Sequence, residues 1–153
     1  MVDSAYLAKV SKLKFLTNLL FVYGSLLPDL GHPMSRWLAA SADRLGEAKT
    51  SGKLVDLGEY PGLVLAEGEG KEVFGQLFRL HNPEVVLKVL DEYEGIGSDS
   101  MDEAYSRHVI PVQWAGEEIN AQAYIYVGQI IGKPLVVSGD YRIYHSQMVQ
   151  NQA

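Results

Sequence analysis

One carboxylate in the chain is set apart by its position. The stretch from Pro83 to Gly95 reads PEVVLKVLDEYEG and has the apolar spacing of an amphipathic helix. Asn82 stands as its N-cap, Pro83 at its first position and Glu84 in its first turn, with Gly95 placed to end it. At about 100° per residue, Glu84, Lys88, Asp91 and Glu92 gather on one side. Val85, Val86, Leu87, Val89, Leu90 and Tyr93 take the opposite arc. Glu94 falls between Leu87 and Leu90, along the apolar face. A carboxylate pressed against apolar side chains loses hydration, and its pKa rises toward neutrality. The negative end of the helix dipole acts in the same direction. Such a group takes up and returns a proton at physiological pH, which is general acid/base chemistry. Helix ends are fixed by sequence only to within a few residues. The alternative is that the helix stops short, leaving Glu94 to turn into solvent or pair with Arg107.

A second candidate is the break after the first apolar run. Leu19–Tyr23 reads as a buried strand, and Gly24-Ser25-Leu26-Leu27-Pro28 forces a loop. Glycine there permits close backbone approach by a ligand, and successive N–H groups would form a nest for a carboxylate. A plain chain reversal fits the same residues. Ser25 lacks the G-x-S-x-G context of a nucleophile. His32, His81, His108 and His145 have no metal-ligand spacing, and there is no cysteine. Gly68-x-Gly70-Lys71 lacks the remaining glycines of a phosphate loop. No metal or cofactor site is expected. Tyr124 and Tyr126 share one strand face, as do Tyr105 and Arg107. The tyrosine pair reads as core or barrel lining.

These residues need a scaffold. Further strands are expected over Arg44–Ala48, Lys53–Leu57, Leu63–Ala66 and Val73–Leu80. Tyr105–Trp114 and Ala121–Val127 form an expected hairpin, a short helix covers Pro33–Ala42, and a last element follows Asp140. The order does not alternate as a doubly wound sheet would, so the fold class is α+β with a curved or closed mixed sheet. The 153 residues suit one domain with a single core. We expect an N-terminal arm or short helix over residues 1–18, the domain over 19–145 and a frayed tail over 146–153. A net charge of −6 with no basic block argues against nucleic acid or an anionic membrane as partner. No apolar run approaches the roughly 20 residues of a membrane helix. Lys9, Lys12 and Lys14 precede the first apolar run, but Asn18, Gly24 and Pro28 interrupt a signal-peptide pattern. A cytoplasmic location is the expectation.

Six segments in order resemble the γ-glutamylcyclotransferase-like family, which includes the AIG2-like and γ-glutamylamine cyclotransferase proteins. They are Leu20-Phe21-Val22-Tyr23-Gly24-Ser25-Leu26, Leu57-Gly58-Glu59-Tyr60-Pro61-Gly62-Leu63-Val64, Val73-Phe74-Gly75-Gln76-Leu77-Phe78, Leu90-Asp91-Glu92-Tyr93-Glu94-Gly95, Tyr105-Ser106-Arg107 and Ser138-Gly139-Asp140-Tyr141. Tyr141 stands where tryptophan is common. The resemblance implies a small mixed, largely antiparallel β-barrel flanked by helices, with one pocket. It implies a small-molecule γ-glutamyl compound as partner and Glu94 as catalytic acid/base. The candidate substrate-binding residues are Tyr23, Gly24, Ser25, Leu26, Tyr60, Tyr105, Arg107 and Tyr126. The implied reaction converts a γ-glutamyl amide to 5-oxoproline and a free amine without cofactor, in a monomer or weak homodimer. Two alternatives stay open: a lyase-like deacylase of a γ-glutamylated metabolite, and a non-catalytic binding module of the same fold.

Overall fold

A run of four apolar residues, Leu19–Val22, starts the sheet as β1. Alternation sends Phe21 and then Tyr23 to one face, Leu20 and Val22 to the other, and all four are buried. Both faces are covered, which is why the run is continuously apolar. The computed structural model describes residues 17–66, 71–96 and 104–151. All but the last two residues of the expected N-terminal arm, and most of the polar turn at 67–71 and of the acidic loop at 96–104, lie outside the described residues.

After β1 come a short 3-10 turn at Pro28–Leu30, α1 (Pro33–Ser41), β2 (Ala42–Ser51), β3 (Lys53–Asp56) and β4 (Pro61–Val64). β5 (Glu72–Leu80), α2 (Pro83–Tyr93), β6 (Tyr105–Trp114), β7 (Glu117–Tyr126) and α3 (Tyr141–Asn151) follow. The sheet order is β1-β5-β2-β6-β7-β4-β3, and β1 also pairs with β7. That pairing, parallel at Leu20 opposite Gln122, closes a five-stranded barrel. The β4–β7 pair is also parallel, and the other pairs are antiparallel. The fold is therefore the expected α+β mixed barrel with flanking helices. Phe21, Leu77, Val112, Ala121, Ala123 and Ile125 pack inside it. Leu20, Val22, Phe78 and Tyr124 face outward, beneath Leu38 of α1 and Val86, Leu87 and Leu90 of α2. Tyr124 thus lies between barrel and helix rather than within the barrel.

Two local expectations are corrected. Asn82 occupies the N-cap of α2, but its side chain makes no capping bond. The last element is a helix running to Asn151, past the boundary expected at 145. Its first turn is anchored strongly. The Arg142 guanidinium meets Asp140 at 3.0 Å and Glu47 at 2.7 Å, and the Tyr144 hydroxyl donates to Asp56 at 2.5 Å. Charge-assisted bonds of this kind hold a helix that has little apolar stripe of its own. Among the described residues no helix is long and apolar enough to cross a membrane.

β1 and β5 approach closely at Gly75, where an added Cβ would sit 2.0 Å from the Val22 carbonyl oxygen. The obstacle is main chain and cannot swing aside. Gly75→Ala is expected to destabilise the protein by about 1–3 kcal/mol, the range of an overpacked core. Urea unfolding reads this as a lower midpoint at unchanged slope. An unchanged midpoint would mean that β1 shifts at little cost.

Candidate active site

The end of β1, the start of β4, the start of β6 and the end of α2 meet at one end of the barrel. Between them lies a cavity of about 350 Å³. Tyr23, Gly24, Ser25, Leu26, Tyr60, Tyr105 and Glu94 line it, so seven of the nine residues singled out by sequence come together.

Glu94 is the C-cap of α2, with φ −82° and ψ 0°, and its N–H donates to the Leu90 carbonyl at 2.9 Å. The backbone keeps its helical turn through this residue, so the side chain follows the wheel. Gly95 then takes φ +78°. Its N–H reaches the Glu92 carbonyl at 3.1 Å, and the Ile96 N–H reaches the Asp91 carbonyl at 2.8 Å. This double closure is a Schellman cap, and glycine supplies the left-handed residue that it needs. The cap turns the chain away while Glu94 stays directed into the cavity. Burial pushes the Glu94 carboxyl up to about 7, and the Asp91 charge pushes the same way.

The loop opposite is shaped by a close approach. An added Cβ at Gly24 would sit 2.7 Å from Cγ of Pro61, so any side chain there would lift the loop from β4. The Leu27 N–H closes the turn on the Gly24 carbonyl at 2.9 Å. The N–H groups of Gly24, Ser25 and Leu26 find no acceptor among the described residues. Three adjacent donors at a cavity wall are what a carboxylate would bind.

Most of the cavity's tyrosine hydroxyls are already committed. Tyr23 donates to the Tyr124 carbonyl at 2.5 Å and accepts from the Leu63 N–H at 3.2 Å. Tyr105 donates to the Pro61 carbonyl at 2.7 Å. Tyr124 donates to Asp91 at 2.6 Å. Burial, first of all, raises the pKa of each of these three groups, so they are neutral scaffolding. At the mouth, the Tyr93 hydroxyl lies 3.0 Å from Ser25 Oγ and 3.4 Å from His32 Nε2. His32 Nδ1 accepts the Met34 N–H at 3.0 Å and so caps α1. That bond leaves the ring proton on Nε2, facing Tyr93. Tyr60 stands half-exposed beside Tyr105, ring centroids 6.1 Å apart.

Two expected residues lie elsewhere. Arg107 opens into a neighbouring cleft and pairs with Asp91 at 2.9 Å instead of reaching Glu94 or the cavity. Tyr126 packs edge-on against Tyr105, and its hydroxyl turns back to the Gln129 carbonyl at 2.8 Å. Tyr93, Tyr124 and Pro61 line the cavity without having been selected. The signal for Tyr93 was its place beside Glu94, and for Pro61 its place beside Tyr60. No metal-holding group of three or more acidic or histidine side chains exists among the described residues.

The Glu94 shift has a consequence for stability. Between its ordinary value of 4.5 and about 7, the folded chain holds a proton that the unfolded chain releases. Stability therefore falls as pH rises through that window, and the penalty is complete above it. Glu94→Gln removes the ionisation. The variant is expected to exceed wild type by about 1–3 kcal/mol at pH 8, with the gap closing toward pH 4. Urea unfolding at the two pH values measures it, and an equal gap at both would mean that Glu94 ionises freely.

Residues 20–143 match the family model described as Gamma-glutamyl cyclotransferase, AIG2-like. An AIG2-like protein of Mus musculus has a similar structure, with 26% identity, 77% of this chain and 84% of that chain covered, and a TM-score of 0.59. Protein YtfP of Escherichia coli is 30% identical, with 80% and 95% covered and a TM-score of 0.56. YkqA of Bacillus subtilis, at 21% identity, shows a likeness of fold alone. Its TM-score is 0.64 and 89% of this chain is covered, but only 43% of that longer chain. By sequence alone, no curated protein matches the chain. With the family model spanning most of its length and the site in place, the chain belongs to the AIG2-like gamma-glutamyl cyclotransferase family.

Proposed function

We propose that this chain is a cyclotransferase that converts a γ-glutamyl amide to 5-oxoproline and a free amine, with Glu94 as acid/base group. One observation carries the reading. A carboxyl pushed up to about 7 shares a cavity of about 350 Å³ with a turn whose three N–H groups lack acceptors among the described residues.

The turn would hold the α-carboxylate of the glutamyl group, leaving its α-amine toward Glu94. A curled glutamyl chain brings that nitrogen to its own γ-carbonyl carbon. The nitrogen attacks, a new C–N bond forms, and the Glu94 carboxylate accepts the proton that the amine loses. The original amide C–N bond then breaks, and Glu94 returns the proton to the departing nitrogen. Atoms balance without water, oxidant or reductant. The nucleophile and the carbonyl belong to one molecule, so the cavity's part is to hold the curled conformer in attack geometry, and proton transfer by Glu94 adds about 10²–10⁴-fold. The leaving amine would exit on the open side between Tyr60 and Tyr93.

A panel of γ-glutamyl amines tests the reading. The wild-type chain is expected to release 5-oxoproline from at least one member, and Glu94→Gln to lose about 10²–10⁴-fold in rate. The base is the carboxylate, whose fraction grows with pH, so kcat/KM should climb through about pH 7 and then level. Binding with no turnover across the panel would mark a non-catalytic module instead. Release of free glutamate would mark a deacylase.

A further inference from the structure

Two strands of the barrel wall converge on Asp91, one helical turn before Glu94. The Arg107 guanidinium, from β6, meets both carboxylate oxygens, at 2.9 Å and 3.2 Å. The Tyr124 hydroxyl, from β7, donates to one of them at 2.6 Å. Arg107 also donates to the Gln122 side chain. That buried amide donates to the Thr17 carbonyl at 3.2 Å. The ion pair is only about a quarter exposed on each side, 25% for Arg107 and 23% for Asp91, so salt screens it weakly. A two-point contact restrains rotation as well as position. The main chain of Asp91 takes part as well, because its carbonyl receives the Ile96 N–H that closes the cap around Glu94. Tyr124 links the two sides, since the residue lines the cavity and its hydroxyl reaches Asp91.

We propose that Asp91 is the positioning residue for Glu94, the Arg107–Asp91–Tyr124 clamp fixing the last turn of α2 to the barrel so that the carboxyl of Glu94 stays in the cavity. This rests on the reading of Glu94 as the acid/base group. Asp91 acts through Glu94 and does not line the cavity itself.

The clamp carries charge as well as geometry. The Asp91 anion helps to keep Glu94 protonated, and Arg107 beside it offsets part of that field. The other groups facing Glu94 are Tyr93 on α2, Tyr23 after β1, Tyr60 before β4, Tyr105 on β6 and Tyr124 on β7. Burial chiefly raises the pKa values of Tyr23, Tyr93, Tyr105 and Tyr124, so these stay neutral while Glu94 titrates. His32 reaches this group only through the Tyr93 hydroxyl.

The test reads Glu94 directly and needs no substrate. In the full chain with ¹³C-labelled glutamate, the Glu94 carboxyl resonance is assigned by its loss in Glu94→Gln and titrated. Asp91→Asn keeps an oxygen for Tyr124 and removes the charge, so the midpoint should move down by roughly half a pH unit or more. Arg107→Gln removes one arm of the clamp and keeps the Asp91 charge, so a field effect alone would raise the midpoint, whereas release of Glu94 from the cavity should lower it. Tyr124→Phe, which removes only a hydroxyl, replaces Arg107→Gln if that variant does not fold, with the same downward sign. Asp91→Ala should bring the midpoint nearest to that of a free carboxyl, and should lower kcat at least tenfold more than Asp91→Asn with less effect on KM. An upward shift in Arg107→Gln, or no shift in either variant, would overturn the proposal. Downward shifts in both without turnover of any γ-glutamyl amine would leave the clamp standing and sink the enzymatic reading. Turnover with an unmoved midpoint would do the reverse.

Discussion

Holding a carboxyl out of water is unfavourable, and the arrangement around Glu94 exists to enforce it. Left to itself the side chain would rotate into solvent and ionise as an ordinary glutamate. Two devices prevent this. The glycine cap turns the chain away after Glu94 without changing that residue's helical backbone. The apolar face of α2, through Val86, Leu87 and Leu90, seats the helix on the outer wall of the barrel. Once the helix is seated, the next position on its inner arc has only the cavity to enter. The resulting shift to about 7 follows first from burial in the cavity and then from the nearby Asp91 charge.

The barrel explains why the cavity lies where it does. β1 is central, with β5 on one side and β7 on the other. Its end opens where β4 and β6 begin, at one end of the barrel, and the loop that follows is backed by β4 through Gly24 and Pro61. Tyr23 fastens this corner by bonding to both β7 and β4. Tyr105 bonds to Pro61 from β6. The tyrosines are thus joinery as well as lining, and their hydroxyls satisfy main-chain groups that would otherwise be buried without partners.

Much of this was legible in the sequence, and the failures have physical causes. The strands at Leu19–Val22 and Glu72–Leu80 and the helix at Pro33–Ser41 announce themselves by apolar runs and by proline and glycine punctuation. The wheel directed Glu94 correctly because the backbone stays helical through the C-cap. It misjudged Val85, which is 54% exposed, and it set Asp91 among the solvent-facing acids. A wheel describes one helix and cannot see that the facing strands present Arg107 and Tyr124 just where Asp91 lies. Arg107 was grouped with Tyr105 because they share a strand face. Two residues along a strand is roughly 7 Å, enough to carry the guanidinium past the cavity and onto the helix. A last element was expected after Asp140, but with a frayed end over 146–153, as is usual for a chain terminus, so the length of the final helix was missed. Its anchors, Glu47 and Asp56, lie far away in sequence.

The seam that closes the barrel also governs how the molecule comes into being. Tyr23 and the carbonyl it bonds on Tyr124 are 101 residues apart, and β1 pairs with β7 across a similar separation. Among the described strands, β1 thus waits for the last one, β7. Until β7 is made, one edge of β1 stays unpaired and the corner behind the glycine loop has no back. Contacts this distant in sequence are slow to find, since a long loop must close before any of them forms. The cavity is therefore among the final features to assemble, and a nascent or truncated chain lacking β7 has a helix bearing Glu94 but no vessel for it to face.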